Sequence, residues 1–243
     1  MTEQAPPPPA VVARGITMAG PWGPVYGPID LDIEESGGLT VLIGTAGPGR
    51  TALLMTLAGR MRPTSGTVTV LGRRRATDIF AVAALAGVEE LDRVAESVRV
   101  GDLITEQLRW NAPWYRLIRR ADAADLAAVC GPVFGPLPLP GLDDYVEQLT
   151  ELDGLLLRIA LANTGRPPLL VVGSVDQVTS NRNHDMLVAR LVALGEHQTV
   201  ITASANAIPP ELGLRAQLHV GNLSHREIAD SAQPAATTQK GRA

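Results

Sequence analysis

Cysteine is nearly absent from this chain. Cys130 is the only one in 243 residues, so no disulfide can form within the chain, and the composition suits a reducing compartment. Long apolar runs are missing too. The longest candidate, residues 126–142, is broken by Gly131, Pro132, Gly135 and four further Pro or Gly, short of the roughly 18 uninterrupted apolar residues of a membrane span. Work at a membrane would therefore need a partner to hold the chain there. No excess of either charge stands out: the net charge is -4, which gives no general pull toward nucleic acid or anionic lipid, and no nucleic-acid partner is expected. The short basic runs Arg73-Arg74-Arg75 and Arg119-Arg120 read as solvated surface. Aromatic residues make up 3% of the chain, so any cluster of them carries information.

What is present is a globular composition with 45% apolar residues, enough for a sizeable core. Residues 1–10 form a Pro-rich tail and 229–243 a small, polar one. Both are expected to be disordered, since they offer little apolar surface to offset ordering entropy. Residues 1–4 lead into prolines without a charged and then apolar segment, so no secretory leader is expected. Between the tails, short apolar runs alternate with helical patterns, which predicts an α/β fold. Strands are expected at 39–43, 67–71, 169–172, 199–203 and 217–220. Helices are expected at 51–58, 155–162 and 186–194, and residues 100–147 read as a helical insert without a strand.

The sharpest local pattern is Gly44-Thr45-Ala46-Gly47-Pro48-Gly49-Arg50-Thr51, followed by Ala52. It fits the phosphate-loop spacing G-x-x-x-x-G-K-[ST] except that arginine stands in place of lysine. Glycines let the backbone curl so that several N–H groups face one centre, and the following helix directs its positive end there. Arg50 would meet phosphates with its planar fork, though its reach differs from that of lysine. Thr51 would ligate Mg²⁺. Gly44 through Ala52 are thus the candidate ATP-binding residues, with Thr51 the candidate metal ligand. A tight turn without a ligand is the bland alternative.

Around this loop the chain resembles ATP-binding-cassette (ABC) domains. The resemblance rests on Leu57-Ala58-Gly59, then Arg62-Pro63-Thr64-Ser65-Gly66, then Thr67-Val68-Thr69-Val70 closed by Gly72, with Ile29-Asp30-Leu31-Asp32-Ile33 upstream. It extends over roughly residues 11–225, within a domain placed at 11–228, and is specific across 29–72. It implies a P-loop NTPase sheet core with helices on both faces, a helical insert at about 100–147, and an N-terminal antiparallel β part. It also implies ATP and Mg²⁺ as cofactors, and a membrane-spanning transporter subunit as partner. It further implies a second cassette completing the assembly as a homo- or heterodimer, on the cytoplasmic, inner face of the plasma membrane. An upstream aromatic stacks on adenine in that family; Trp22 is the better placed candidate and Tyr26 the second.

Several departures from the family pattern bear on catalysis. The strand 169–172 ends in Gly173-Ser174, where the family has an Asp that supports Mg²⁺ and a Glu that polarises water. Loss of each such group costs on the order of a thousandfold in rate by analogy with removing one electrostatic stabiliser. Asp176 is the nearest carboxylate and could partly substitute, though it resembles the Asp of the family's dimer-contact loop. The signature place falls at Glu151-Leu152-Asp153-Gly154, where only Gly154 matches and Asp153 is expected to cap the following helix. Ala205 stands where a γ-phosphate-sensing histidine belongs, and Glu89 and Glu90 lie near the place of a glutamine. The four histidines show no metal-ligand spacing. No residue is therefore assigned a catalytic role, and hydrolysis is expected to be weak or absent.

In the insert, Trp110, Trp114 and Tyr115 cluster near Leu103, Ile104, Leu108, Leu117 and Ile118. They either form the insert's own small core or anchor the membrane partner. Three other functions compete with the ATP-binding subunit. One is an active cassette ATPase using Asp176. Another is a nucleotide-free scaffold of the same fold. The third is a P-loop kinase, whose lid would need Arg116, Arg119 and Arg120.

Overall fold

The computed structural model describes residues 9–34, 37–88, 91 and 97–232. Two sheets form its centre. The first is antiparallel, ordered β2-β1-β4, with β1 Pro9–Gly20, β2 Gly23–Glu34 and β4 Ser65–Val70. The second is parallel, ordered β5-β6-β7-β3-β8, with β3 Gly38–Ile43, β5 Ala83–Ala86, β6 Leu169–Ser174, β7 Thr199–Ser204 and β8 Ala216–His219.

The apolar runs become parallel strands because both faces of that sheet are covered, so there is no need for a polar side. Alternate residues supply two different cores. Leu39, Val41, Leu170, Val172 and Val200 join one cluster. Leu42, Leu169, Val171, Ile201 and Ala203 join the other. The second core is closed by α1 (Pro48–Leu57) and the antiparallel sheet, with α2 (Ala76–Phe80) at its edge. The first is closed by α3 (Val100–Asn111), α4 (Ala123–Phe134), α5 (Glu151–Ala162) and α6 (Asn181–Gly195). A last helix, α7, spans His225–Ala232.

The α/β expectation, with an N-terminal antiparallel part and a helical insert, matches this architecture. Element edges differ. β1 begins at Pro9 with Ala10 fully buried, and α7 runs to Ala232, so ordered structure extends beyond the expected limits of 11 and 228. The remaining tail residues lie outside the described set. Strand β5 escaped notice because Ala83–Ala86 is alanine-rich and lacks the β-branched composition by which strands are read. α5 begins four residues before the expected 155, since Thr150 is its N-cap and accepts from Asp153 N at 3.1 Å. Asp153 therefore sits at the third helical position and accepts from Thr150 Oγ1 at 2.7 Å; it is not the cap.

Candidate functional site

Ligands of open parallel sheets bind beyond the carboxyl ends of the strands, and here three such ends converge. Ile43 pairs with Ser204 across β3 and β7, and Ser174 with Ala203 across β6 and β7. Gly44 N donates to Ser204 O at 3.0 Å. The loop that leaves β3 opens α1 at once: Gly47 is the N-cap and Pro48 follows it, a proline that suits a first turn because its missing N–H would have had no helical partner.

Two glycines explain the loop's shape. Gly47 has φ +148° and nothing within 4 Å of where a β-carbon would stand, so a ligand can come close to its backbone. Gly49 is the opposite case. A side chain there would run into the carbonyl oxygens of Val25 and Leu223, so the loop is seated between β2 and the segment before α7. Gly47, Arg50 and Thr51 face Gly173, Ser174 and Gln177 across a cleft of about 360 Å³. A larger cleft of about 580 Å³ lies at the amino ends of β3 and β8, beside Arg215 and Glu196, away from the loop. Ala52 is buried in the second core, so its side chain turns from the cleft.

Arg50 does not reach into open space. It is 8% exposed, and its Nη1 donates to Asp176 Oδ2 at 2.9 Å and to Gly44 O at 3.3 Å. Asp176 gathers further donors: Ser174 Oγ at 2.8 Å, Ser204 Oγ at 3.0 Å and the Ala205 N–H at 2.8 Å. Burial works to raise the pKa of this carboxyl, but the hydrogen bonds from Ser174, Ala205 and Ser204, with the Arg50 charge, hold it below its ordinary value. A second acidic group touches the loop: Glu227 Oε1 accepts from Thr45 Oγ1 at 2.5 Å, while its other oxygen accepts from the backbone of Leu223 and Ser224. No local pattern announces Glu227, because it lies 182 residues from Thr45.

Residues 26–122 match the family model described as ABC transporter, a stretch that contains the loop and the segment 44–72. The cbiO1 protein from Clostridium perfringens, part of the ABC transporter complex cbiONQ, superposes with TM-score 0.67 at 13% identity, over 88% of this chain and 85% of that one. An ATP binding subunit of an ABC transporter gives 0.64 at 13%, over 88% and 87%. A bacterial Atm1-family ABC exporter with ATP bound gives 0.65 at 16%, over 96% of this chain and 42% of that one. The chain has the fold of an ABC-type nucleotide-binding domain. No curated protein matches it in sequence.

Within this fold the candidate residues fare differently. Tyr26 is fully buried, and its hydroxyl is within 2.8 Å of Thr56 Oγ1, so it is unavailable for stacking. Trp22 lies on the turn between β1 and β2 and is 94% exposed. Gly173 and Ser174 do end β6 at the cleft, and neither carries a charge. Among the described residues no group of three or more His, Cys, Asp or Glu is placed to hold a metal. Glu151 accepts from Thr179 N and Oγ1 at 3.0 and 3.1 Å, so this acidic member of the signature place is used to tie α5 to the loop before α6. Glu89 and Glu90 lie outside the described residues.

The aromatic cluster does not form an insert core. Trp110, Trp114, Tyr115 and Leu117 are all exposed, Trp114 at 96%. α3 stops at Asn111 and Pro113 follows, because proline cannot continue a helix and pushes its predecessor to extended backbone. The later aromatics therefore run over the surface. Ile104 is buried and Leu103 and Leu108 pack beside it. Arg119 pairs with Asp122 and Asp125 at 3.0 and 3.1 Å, and Arg120 with Asp143 at 3.2 Å. These two arginines are held by their own insert, which disfavours a kinase lid.

Proposed function

We propose that this chain is the ATP-binding subunit of an ABC-type membrane transporter, one that binds nucleotide and hydrolyses it slowly or not at all. The observation that carries the reading is the strand–loop–helix of residues 38–57, with the open backbone at Gly47 and the helix start aimed into the cleft. Backbone N–H groups of the loop after Gly44, whose own N–H is taken by Ser204 O, hold the phosphates, except at Pro48, which has none. Trp22 stacks on the adenine, and Thr51 meets the Mg²⁺ that comes with the nucleotide. Bound Mg²⁺ would neutralise charge on the phosphates.

Slow chemistry follows from what surrounds the cleft. Gly173 and Ser174 supply no carboxylate to polarise water, and Ala205 supplies only its backbone. Asp176 is a poor replacement base. Its two oxygens already accept four hydrogen bonds, and a carboxylate with a lowered pKa has little tendency to take a proton. The degenerate subunit is therefore favoured over an active ATPase built on Asp176.

No described helix is long and apolar enough to cross a membrane, so docking falls to a membrane-spanning subunit. The exposed Trp110, Trp114 and Tyr115 suit such a contact, because aromatics dominate interface energetics. That partner keeps the chain at the inner, cytoplasmic face, where a second cassette can pair with it.

The test is titration of the full chain with Mg·ATP, following Trp fluorescence, with phosphate release recorded on the same sample. Saturable quenching that is lost in Trp22→Phe, with no phosphate above blank, is the expected result. Turnover at ordinary cassette rates would overturn the degenerate reading. Absence of binding at millimolar ATP would leave a scaffold.

A further inference from the structure

The basic side chain of the loop already has an anion. Arg50 donates to Asp176, and the same carboxylate collects Ser174 Oγ, Ser204 Oγ and the Ala205 N–H. These four donors come from the first turn of α1 and from the ends of β6 and β7 or the residue just after, the side of the sheet where an incoming phosphate must arrive. A cation, two hydroxyls and a backbone N–H make a donor set for an oxyanion, and Asp176 fills it from within the chain.

We propose that Asp176 is an internal competitor for the phosphate site: its carboxylate holds Arg50 and the surrounding donors until a nucleoside triphosphate displaces it. The proposal rests on the nucleotide-binding reading above and deepens it by naming what sets the affinity. Arg50 is 8% exposed, and the Nη1 that lies on Asp176 and Gly44 O cannot turn to a phosphate in the cleft without leaving them. Binding therefore requires the ion pair to open. Asp176 is tied down by groups on three elements, so opening also releases Ser204 and Ala205 to the ligand. Glu227 adds a second negative group at the rim through Thr45, which further disfavours an anion until the loop is remodelled.

The competitor is a carboxylate, so removing its charge should strengthen binding. The full chain, its Asp176→Asn variant and its Ser204→Ala variant are titrated with Mg·ATP by calorimetry. Asp176→Asn is expected to bind about 10- to 100-fold more tightly, the worth of one charge-assisted hydrogen bond made available to the ligand. Ser204→Ala, which loosens the carboxylate without changing the charge, is expected to give a smaller gain. Introducing Asp176→Asn into an Arg50→Gln background should give little gain, because there is then no guanidinium to release. Equal or weaker binding by Asp176→Asn, with the unmodified chain binding ATP, overturns the competitor and leaves the nucleotide reading intact. An undiminished gain in the Arg50→Gln background also overturns it, since simple charge repulsion would then account for the effect. If neither the unmodified chain nor any variant binds, the nucleotide reading itself fails and the competitor with it.

Discussion

On the function proposed above, Gly173 stands where an ABC ATPase would carry its metal-supporting Asp, and this position is closed to any side chain. A β-carbon on Gly173 would stand 2.7 Å from the Gly87 carbonyl carbon and 2.8 Å from Gln177 Nε2, and closer still to the Gly87 oxygen. Ordinary contact begins near 3.4 Å, so the Gly87 carbonyl would have to retreat by more than an ångström. Gln177 Nε2 donates to that oxygen at 2.7 Å and to Ser174 O at 2.8 Å, and the retreat would break the first of these bonds. Forcing a methyl into a filled site costs about 1–3 kcal/mol, and the lost hydrogen bond adds about 1 kcal/mol. Gly173→Ala is therefore expected to destabilise the domain by about 2–4 kcal/mol. For a chain of this size that lowers Tm by roughly 4–16 °C. Thermal unfolding followed by circular dichroism measures it, with Gly154→Ala as the control, since nothing lies within 4 Å of a β-carbon there. Gly173→Asp should fare worse than Gly173→Ala and should not restore hydrolysis. Equal Tm values for Gly173→Ala and the unmodified chain would refute the steric argument, and with it the view that the backbone at the end of β6 keeps a side chain out of position 173.

Two further outcomes follow from titratable groups. Asp176 has a folded-state pKa below its ordinary 3.8, so the unfolded chain binds more protons between the two values and stability rises with pH across that window. The contribution is complete above the ordinary value and is lost as pH falls through the folded one; acid unfolding of Asp176→Asn should show a shallower loss below about pH 4. Cys130 is fully buried and its thiol is pushed up to about 12 by burial, so a maleimide should label it only after denaturation; rapid labelling of the native chain would contradict its place in the core.

Much of this was legible in local residue order. The loop 44–51 had to follow a strand and open a helix, because only that arrangement puts successive N–H groups and a helix start at one point. The continuous apolar runs at 39–43 and 169–172 indicated strands covered on both faces. β5 was not legible, since an alanine-rich stretch takes its strand form from pairing with β6 and not from its own preference. The fate of the insert aromatics was equally hidden. Periodicity shows which residues are apolar, but Pro113 decides where the helix ends, and only packing decides which side chains Leu103 and Ile104 leave outside.

The sequence by itself determined that the spacing of a phosphate loop, with arginine in place of lysine, follows a strand, and that the strand facing it ends without carboxylates, because both are properties of contiguous residues. Only the tertiary structure decided what Arg50 does. Asp176 is 126 residues away along the chain, and it reaches Arg50 because the parallel sheet sets the ends of β3, β6 and β7 side by side. Whether a basic side chain greets a ligand or an internal carboxylate depends on which charges the fold brings within hydrogen-bonding distance, and no spacing rule along the chain records that.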